Sequence, residues 1–265
     1  MAWEFNVDGR IAHAANGSRK NNPDDPVVIL IHGAGLDRTI WQMQTRNIAF
    51  QGRRVFAVDL PGHGYSDGPL LPTIEEMADW LTQFMQVAEV NCATVMGHSM
   101  GSLIALDLAA RYPAHVEKLI LTGVAEAMPV HPELMGAANA NEPLASELIV
   151  YWGLGEKAQT GGHPLPGLWV HGASEVLLKN ANLGVLANDL AACDGYGDAK
   201  EKASKIACPT YFVFGRDDKM TPVNSGKRLA KMIEGAQVSV LERCGHMMMI
   251  ERPNEMFHAL RPVIF

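Results

Sequence analysis

The chain has no apolar run approaching the ~20 residues a helix needs to cross a bilayer, so no transmembrane segment is expected. Positive charge is in short supply. Lys and Arg total 22 against 29 Asp and Glu, and the net charge of −7 leaves no electrostatic footprint for nucleic acid or an anionic membrane. Cysteine is sparse: Cys92, Cys193, Cys208 and Cys244 are scattered with no C-x-x-C pair. That spacing argues against a disulfide framework or a metal knuckle, and the four are read as buried reduced thiols. Nothing resembles H-E-x-x-H, so neither a metal nor a cofactor is expected. Repeats and low-complexity segments are absent. The first ten residues lack the basic and apolar regions of a signal peptide, which makes a cytoplasmic location the expectation. What remains is a 265-residue chain, 48% apolar and 19% charged, long enough for one large core. A small-molecule substrate is the expected partner, and a homodimer is compatible with this composition.

From Val27 onward, short β-branched or apolar runs alternate with helical patterns. Residues 27–31, 55–60, 93–96, 119–122, 210–214 and 238–241 read as strands, and their unbroken apolar character suits a parallel sheet buried on both faces. Segments 2–7 and 10–15 read as an antiparallel edge hairpin. Ile74, Met77, Leu81, Met85 and Ala88 recur at helical spacing, and Thr73 with Glu76 forms a capping box after Pro72. Segment 102–112 is apolar nearly all round, so its helix is expected at the centre. This alternation implies an α/β fold, doubly wound or barrel. It breaks once, over 128–206, where no strand is convincing; roughly 75 residues are too many for one loop. The expectation is a core domain of 1–127 and 207–265 with a helical cap at 128–206. The charges of Lys200–Lys205 are read as the solvated face of its last helix.

Gly97-His98-Ser99-Met100-Gly101 is a G-x-S-x-G. Chance alone supplies one in roughly 8 of 100 chains of this composition, so the setting carries the weight. The pentapeptide follows a strand and opens a helix, the strand–turn–helix context of a nucleophile elbow. Small neighbours let a sharp turn hold the central residue in a strained conformation, and the helix N-terminus favours negative charge on a reacting oxygen. Ser99 is therefore the expected nucleophile. A serine hydroxyl needs a base, and His246, just past the last strand, is in position to supply it. The base needs an acid to hold its tautomer. Gly215-Arg216-Asp217-Asp218 follows the strand at 210–214, and spacing alone leaves both carboxylates open. Two backbone donors are needed for an oxyanion. Met100 N–H follows the nucleophile, and Ala34 N–H lies in the His32-Gly33-Ala34-Gly35 turn after the first core strand.

These motifs, in this order, resemble the α/β-hydrolase superfamily in its carboxylesterase-like branch. Similar members carry a His-Gly turn, matched by His32-Gly33. They carry Asp-x-Pro-Gly-x-Gly-x-Ser, matched by Asp59-Leu60-Pro61-Gly62-His63-Gly64-Tyr65-Ser66, and a Gly-His followed by Glu-x-Pro, matched by Gly245-His246 and Glu251-Arg252-Pro253. Gly-x-x-Asp-x-x-x-Pro matches Gly215, Asp218 and Pro222, and this chooses Asp218 over Asp217. The resemblance covers about 27–125 and 206–262. It implies the α/β-hydrolase fold, a mostly parallel sheet flanked by helices, with the cap inserted after strand 6. It also implies that Asp59 and His63 are structural, and His32 is read as ordering its own loop.

A serine at 99 departs from the Asp nucleophile of related epoxide hydrolases and dehalogenases. The short 32–35 turn, and Ser102 after Gly101, depart from ring-cleavage C–C hydrolases. The expected activity is hydrolysis of a carboxylic ester with a small to medium apolar acyl or alkyl group. C–C bond or lactone hydrolysis on the same triad is the alternative, and a ligand-binding receptor of this fold is the alternative from another class. Fourteen methionines suggest an adaptable apolar pocket. Met100, Met128, Met220 and Met247, with Trp152 and Trp169, are expected to shape it.

Overall fold

The computed structural model describes residues 2–20, 22–165 and 167–265. Eight strands form one sheet: β1 (Ala2–Val7), β2 (Arg10–Ala15), β3 (Val27–Ile31), β4 (Arg54–Val58), β5 (Ala93–His98), β6 (Val116–Thr122), β7 (Thr210–Gly215) and β8 (Gln237–Leu241). Their order across the sheet is β1-β2-β4-β3-β5-β6-β7-β8. The β1–β2 hairpin is antiparallel and joins β4 antiparallel at one edge; every pairing from β4 to β8 is parallel. This is the α/β-hydrolase fold.

The continuous apolar runs follow from burial on both faces. Ile29, Ile31 and Val95 point into one core cluster, while Val28, Leu30 and Met96 point into the other, as a period of two requires. Helices α1 (Gln42–Phe50), α2 (Ile74–Val87) and α3 (Met100–Arg111) follow β3, β4 and β5. The Thr73 hydroxyl caps α2 by accepting the Glu76 N–H at 3.1 Å. Ten of the twelve α3 residues are buried, which is why its sequence lacks a polar stripe.

Between β6 and β7 the described residues form six helices and no strand: α4 (Pro132–Asn139), α5 (Pro143–Gly153), α6 (Glu156–Gln159), α7 (Val170–Lys179), α8 (Val185–Gly195) and α9 (Ala199–Ala203). Their apolar faces join both sheet clusters, with Leu134, Ile149 and Leu190 on one side and Ala192, Cys193 and Tyr196 on the other. The chain closes through α10 (Val223–Ala230), α11 (Met248–Glu251) and α12 (Pro253–Ile264).

Two expectations need correction. Lys202 does not sit on a solvated face. Its ammonium reaches buried Asp107 at 3.1 Å, alongside Arg111 and the Tyr196 hydroxyl, because a carboxylate removed from water needs charged or donor partners. The cysteines are free, but only Cys193 and Cys244 are buried; Cys92 is exposed and Cys208 half-buried.

Candidate active site

Ser99 stands between the end of β5 and the start of α3 with φ 54° and ψ −117°. A side chain other than glycine rarely adopts a positive φ, so neighbours must hold it there. Its N–H donates to Thr122 O on β6 at 2.9 Å, and its carbonyl accepts from Ser102 N–H at 2.9 Å. A Cβ on Gly97 would fall 2.0 Å from Gly101 O, and one on Gly101 would fall 2.3 Å from Ile31 O. Both glycines are needed because the turn closes on itself and against β3.

Asp218 lies in the turn between β7 and α10. Its Oδ1 accepts the N–H groups of Met220 and Thr221 at 2.9 and 2.8 Å. Its Oδ2 accepts the Thr221 hydroxyl at 2.7 Å and lies 2.7 Å from His246 Nδ1. An ionised carboxylate only accepts, so the imidazole carries its proton on Nδ1 and leaves the Nε2 lone pair bare. Asp217 is placed otherwise, with its N–H on Cys244 O at 2.8 Å.

The His246 loop is held from several sides. Its N–H donates to Gly153 O at the end of α5, at 2.5 Å. The flanking N–H groups of Gly245 and Met247 donate to buried Glu251 at 3.1 Å. Burial pushes the Glu251 carboxyl up to about 7, against the opposing pull of Gly155, Gly245 and Met247 N–H. A Cβ on Gly123 would come within 3.0 Å of the imidazole, so only glycine leaves room there. His98 Nε2–H donates to His246 O at 2.9 Å, and the two rings lie 4.7 Å apart. Burial keeps the His98 pKa well below its ordinary value, so that ring is neutral.

The 32–35 turn faces Ser99 from β3: a Cβ on Gly33 would be 3.2 Å from Ser99 Cβ. Neither the Ala34 nor the Met100 N–H donates to an acceptor among the described residues.

Ser99 and His246 line a cavity of about 410 Å³, together with Met128, Trp152, Met220 and Met247. Among the described residues that line it, the charged or imidazole side chains are Lys219, His98, His131 and His246, and none is a carboxylate. Two expected pocket residues fall elsewhere. Trp169 is 63% exposed and stacks on His171, because the turn into α7 points its ring away from the sheet. The Met100 side chain is fully buried in the core beneath α3, since the first turn of a central helix faces inward. Thr221, His98, His131 and Lys219 escaped sequence reasoning. Thr221 alone had a local signal: a hydroxyl three residues after an aspartate in a turn.

His32 is buried, donating Nδ1–H to Gly33 O at 2.9 Å and accepting Leu60 N–H on Nε2 at 3.2 Å. Burial, reinforced by His63 across 4.8 Å, lowers its pKa from 6.5 to about 4. The native state thus binds fewer protons than the unfolded one between those values. The contribution of neutral His32 is fully present above pH 6.5 and is lost as pH falls toward 4, by about 3 kcal/mol in all. Urea midpoints should drop across that window in the wild type and drop less in His32→Asn; equal slopes would refute the assignment.

Residues 28–260 match the alpha/beta hydrolase family, and the chain belongs to it. It is thereby placed among the hydrolases of that family. It is 25% identical over 246 residues to a 2-hydroxy-6-oxo-2,4-heptadienoate hydrolase of Pseudomonas putida, covering 85% of this chain and 84% of that one. It is 28% identical over 253 residues to a pimeloyl-[acyl-carrier protein] methyl ester esterase of Aromatoleum aromaticum, covering 89% and 95%. The crystal structure of the enol-lactonase from Burkholderia xenovorans LB400 superposes with a TM-score of 0.87 at 24% identity, over 98% of each chain. No helix among the described residues is long and apolar enough to cross a membrane.

Proposed function

We propose that the protein is a serine hydrolase of carboxylic esters, with Ser99 as nucleophile, His246 as base and Asp218 as the group that orients the base. The observation that carries this is the His246 Nδ1–Asp218 Oδ2 contact of 2.7 Å, behind the cavity that His246 shares with a serine held at positive φ. His246 Nε2 takes the Ser99 proton as Oγ attacks the carbonyl carbon. The resulting oxyanion is received by Ala34 and Met100 N–H. Collapse expels the alcohol, which takes the proton back from His246, and leaves an acyl-enzyme. Water then gives a proton to His246 and attacks the ester carbon; as the C–Oγ bond breaks, His246 passes that proton to Ser99 Oγ and the acid is released. Segment 128–206 acts as a cap over this site and supplies Met128 and Trp152 to its wall.

The methionine-rich wall favours an apolar group of small to medium size. Across a p-nitrophenyl ester series, kcat/KM should peak between about C4 and C8 and decline with longer chains, each methylene being worth ~0.8 kcal/mol or less. A preference for sugar-like acyl groups, or a flat profile, contradicts this pocket. The Pseudomonas putida relative supports a second reading, C–C bond hydrolysis on the same residues. A vinylogous diketone assayed beside the esters separates the two.

A further inference from the structure

Asp189, on helix α8 of the insert, is fully buried; its Oδ1 accepts from neighbouring Asn188 at 3.3 Å, and its other oxygen reaches groups remote in sequence. Its Oδ2 accepts the Gly35 N–H at 2.9 Å and lies 2.8 Å from His63 Nε2. The other ring nitrogen of His63 lies 3.0 Å from Pro61 O. Both nitrogens face acceptors, so both carry protons and the ring is an imidazolium. Burial by itself lowers the His63 pKa; Asp189, together with Pro61 O and Asp59, outweighs burial and raises it. Around this pair the insert is stitched to the same loop, with Asn182 Nδ2–H donating to Gly62 O at 3.2 Å and Asn188 Nδ2–H to Leu71 O at 2.9 Å.

The consequence lies at Ala34. The peptide before it is held by its carbonyl, since Gly33 O accepts His32 Nδ1–H at 2.9 Å and Leu36 N–H at 3.2 Å. In a trans peptide the N–H points opposite to the carbonyl, so this aims the Ala34 N–H away from His32. The peptide after it is held by its N–H, which is the Gly35 donor to Asp189. Gly35 has φ +67°, and a Cβ there would lie 2.9 Å from Leu186 Cδ1 on α8, so the turn is pressed directly beneath that helix.

We propose that Asp189, charge-balanced by His63, is a positioning residue that lets the insert hold the oxyanion turn, and that Ala34 N–H is aimed correctly only while α8 delivers this carboxylate. The proposal rests on the ester-hydrolase reading above. Donors to an oxyanion act through preorganisation, so loosening one costs turnover more than ground-state binding.

The test compares Asp189→Ala and Asp189→Asn with the wild type, using p-nitrophenyl butyrate turnover and inhibition by an alkyl trifluoromethyl ketone, which forms a tetrahedral adduct. Asp189→Ala should lose about ten- to a hundredfold in kcat, with KM within about threefold, and should bind the ketone more weakly by a similar factor. Asp189→Asn keeps an oxygen for Gly35 N–H and should recover most of both. Where Asp189→Ala does not fold, Asp189→Glu serves: it keeps the charge for His63 but displaces the oxygen by one methylene, and should lose at least tenfold in kcat. Wild-type kcat in the Ala or Glu variant, or an Asn variant no better than Ala, overturns the positioning role alone. A wild-type chain that neither cleaves the ester nor takes the ketone overturns the hydrolase reading and this proposal with it.

Discussion

Ser99→Ala is expected to lower kcat on p-nitrophenyl butyrate by about 10⁶-fold and to abolish labelling by a fluorophosphonate. No neighbouring hydroxyl can take over. Ser102, three residues on, is fully buried, and its hydroxyl is engaged with Gly97 O and Thr122 O at 2.8 and 2.9 Å. Thr221 is engaged with Asp218 Oδ2. The fold should survive, because alanine at φ 54° is no more strained than serine and the backbone bonds to Thr122 and Ser102 do not involve the side chain. Thermal unfolding within a degree or two of the wild type, together with lost labelling, is the expected pair of results. Labelling that persists in the variant removes Ser99 from the mechanism.

Asp218→Asn should lower kcat by about 10⁴-fold, while Asp217→Asn should stay within a few-fold of the wild type. The Asp218 carboxylate accepts four hydrogen bonds, including the one that fixes the His246 proton on Nδ1. An amide can present its NH₂ to that nitrogen instead, which turns the imidazole into the tautomer with a bare Nδ1 and a protonated Nε2. The ring then cannot accept a proton from Ser99. Asp217 makes no contact with His246; its backbone N–H meets Cys244 O, and its carboxylate lies toward Gly155. Equal losses in the two variants would mean that the wrong neighbour in the turn has been chosen.

Strand periods and helix faces were legible because they are local. A buried parallel strand must be apolar on both sides, and a capped amphipathic helix must repeat every three to four residues; β3, β5 and α2 follow directly. The elbow was legible for the same reason, since Gly97, Ser99 and Gly101 are constrained within one turn. The choice between Asp217 and Asp218 was not. It depended on a family resemblance, because two adjacent residues in a turn differ only in where the backbone points them. Trp169 shows the reverse failure: an aromatic residue in the insert reads as pocket lining, yet the orientation of α7 turns it to solvent. Lys202 failed likewise, because nothing in a run of charges reveals that buried Asp107 lies within reach.

Residue order alone determined the candidate groups: a serine in a glycine-flanked turn, a late histidine, a carboxylate between them and a glycine turn after the first core strand. Those features are written in short segments whose backbone geometry tolerates few residue types. The tertiary structure alone decided what surrounds them. Asp189 lies 154 positions from Gly35 and 126 from His63, and no local pattern links them. Only packing α8 against the sheet brings a buried carboxylate to an imidazole and a backbone N–H. Burying that charge is tolerable only because both partners are there to receive it.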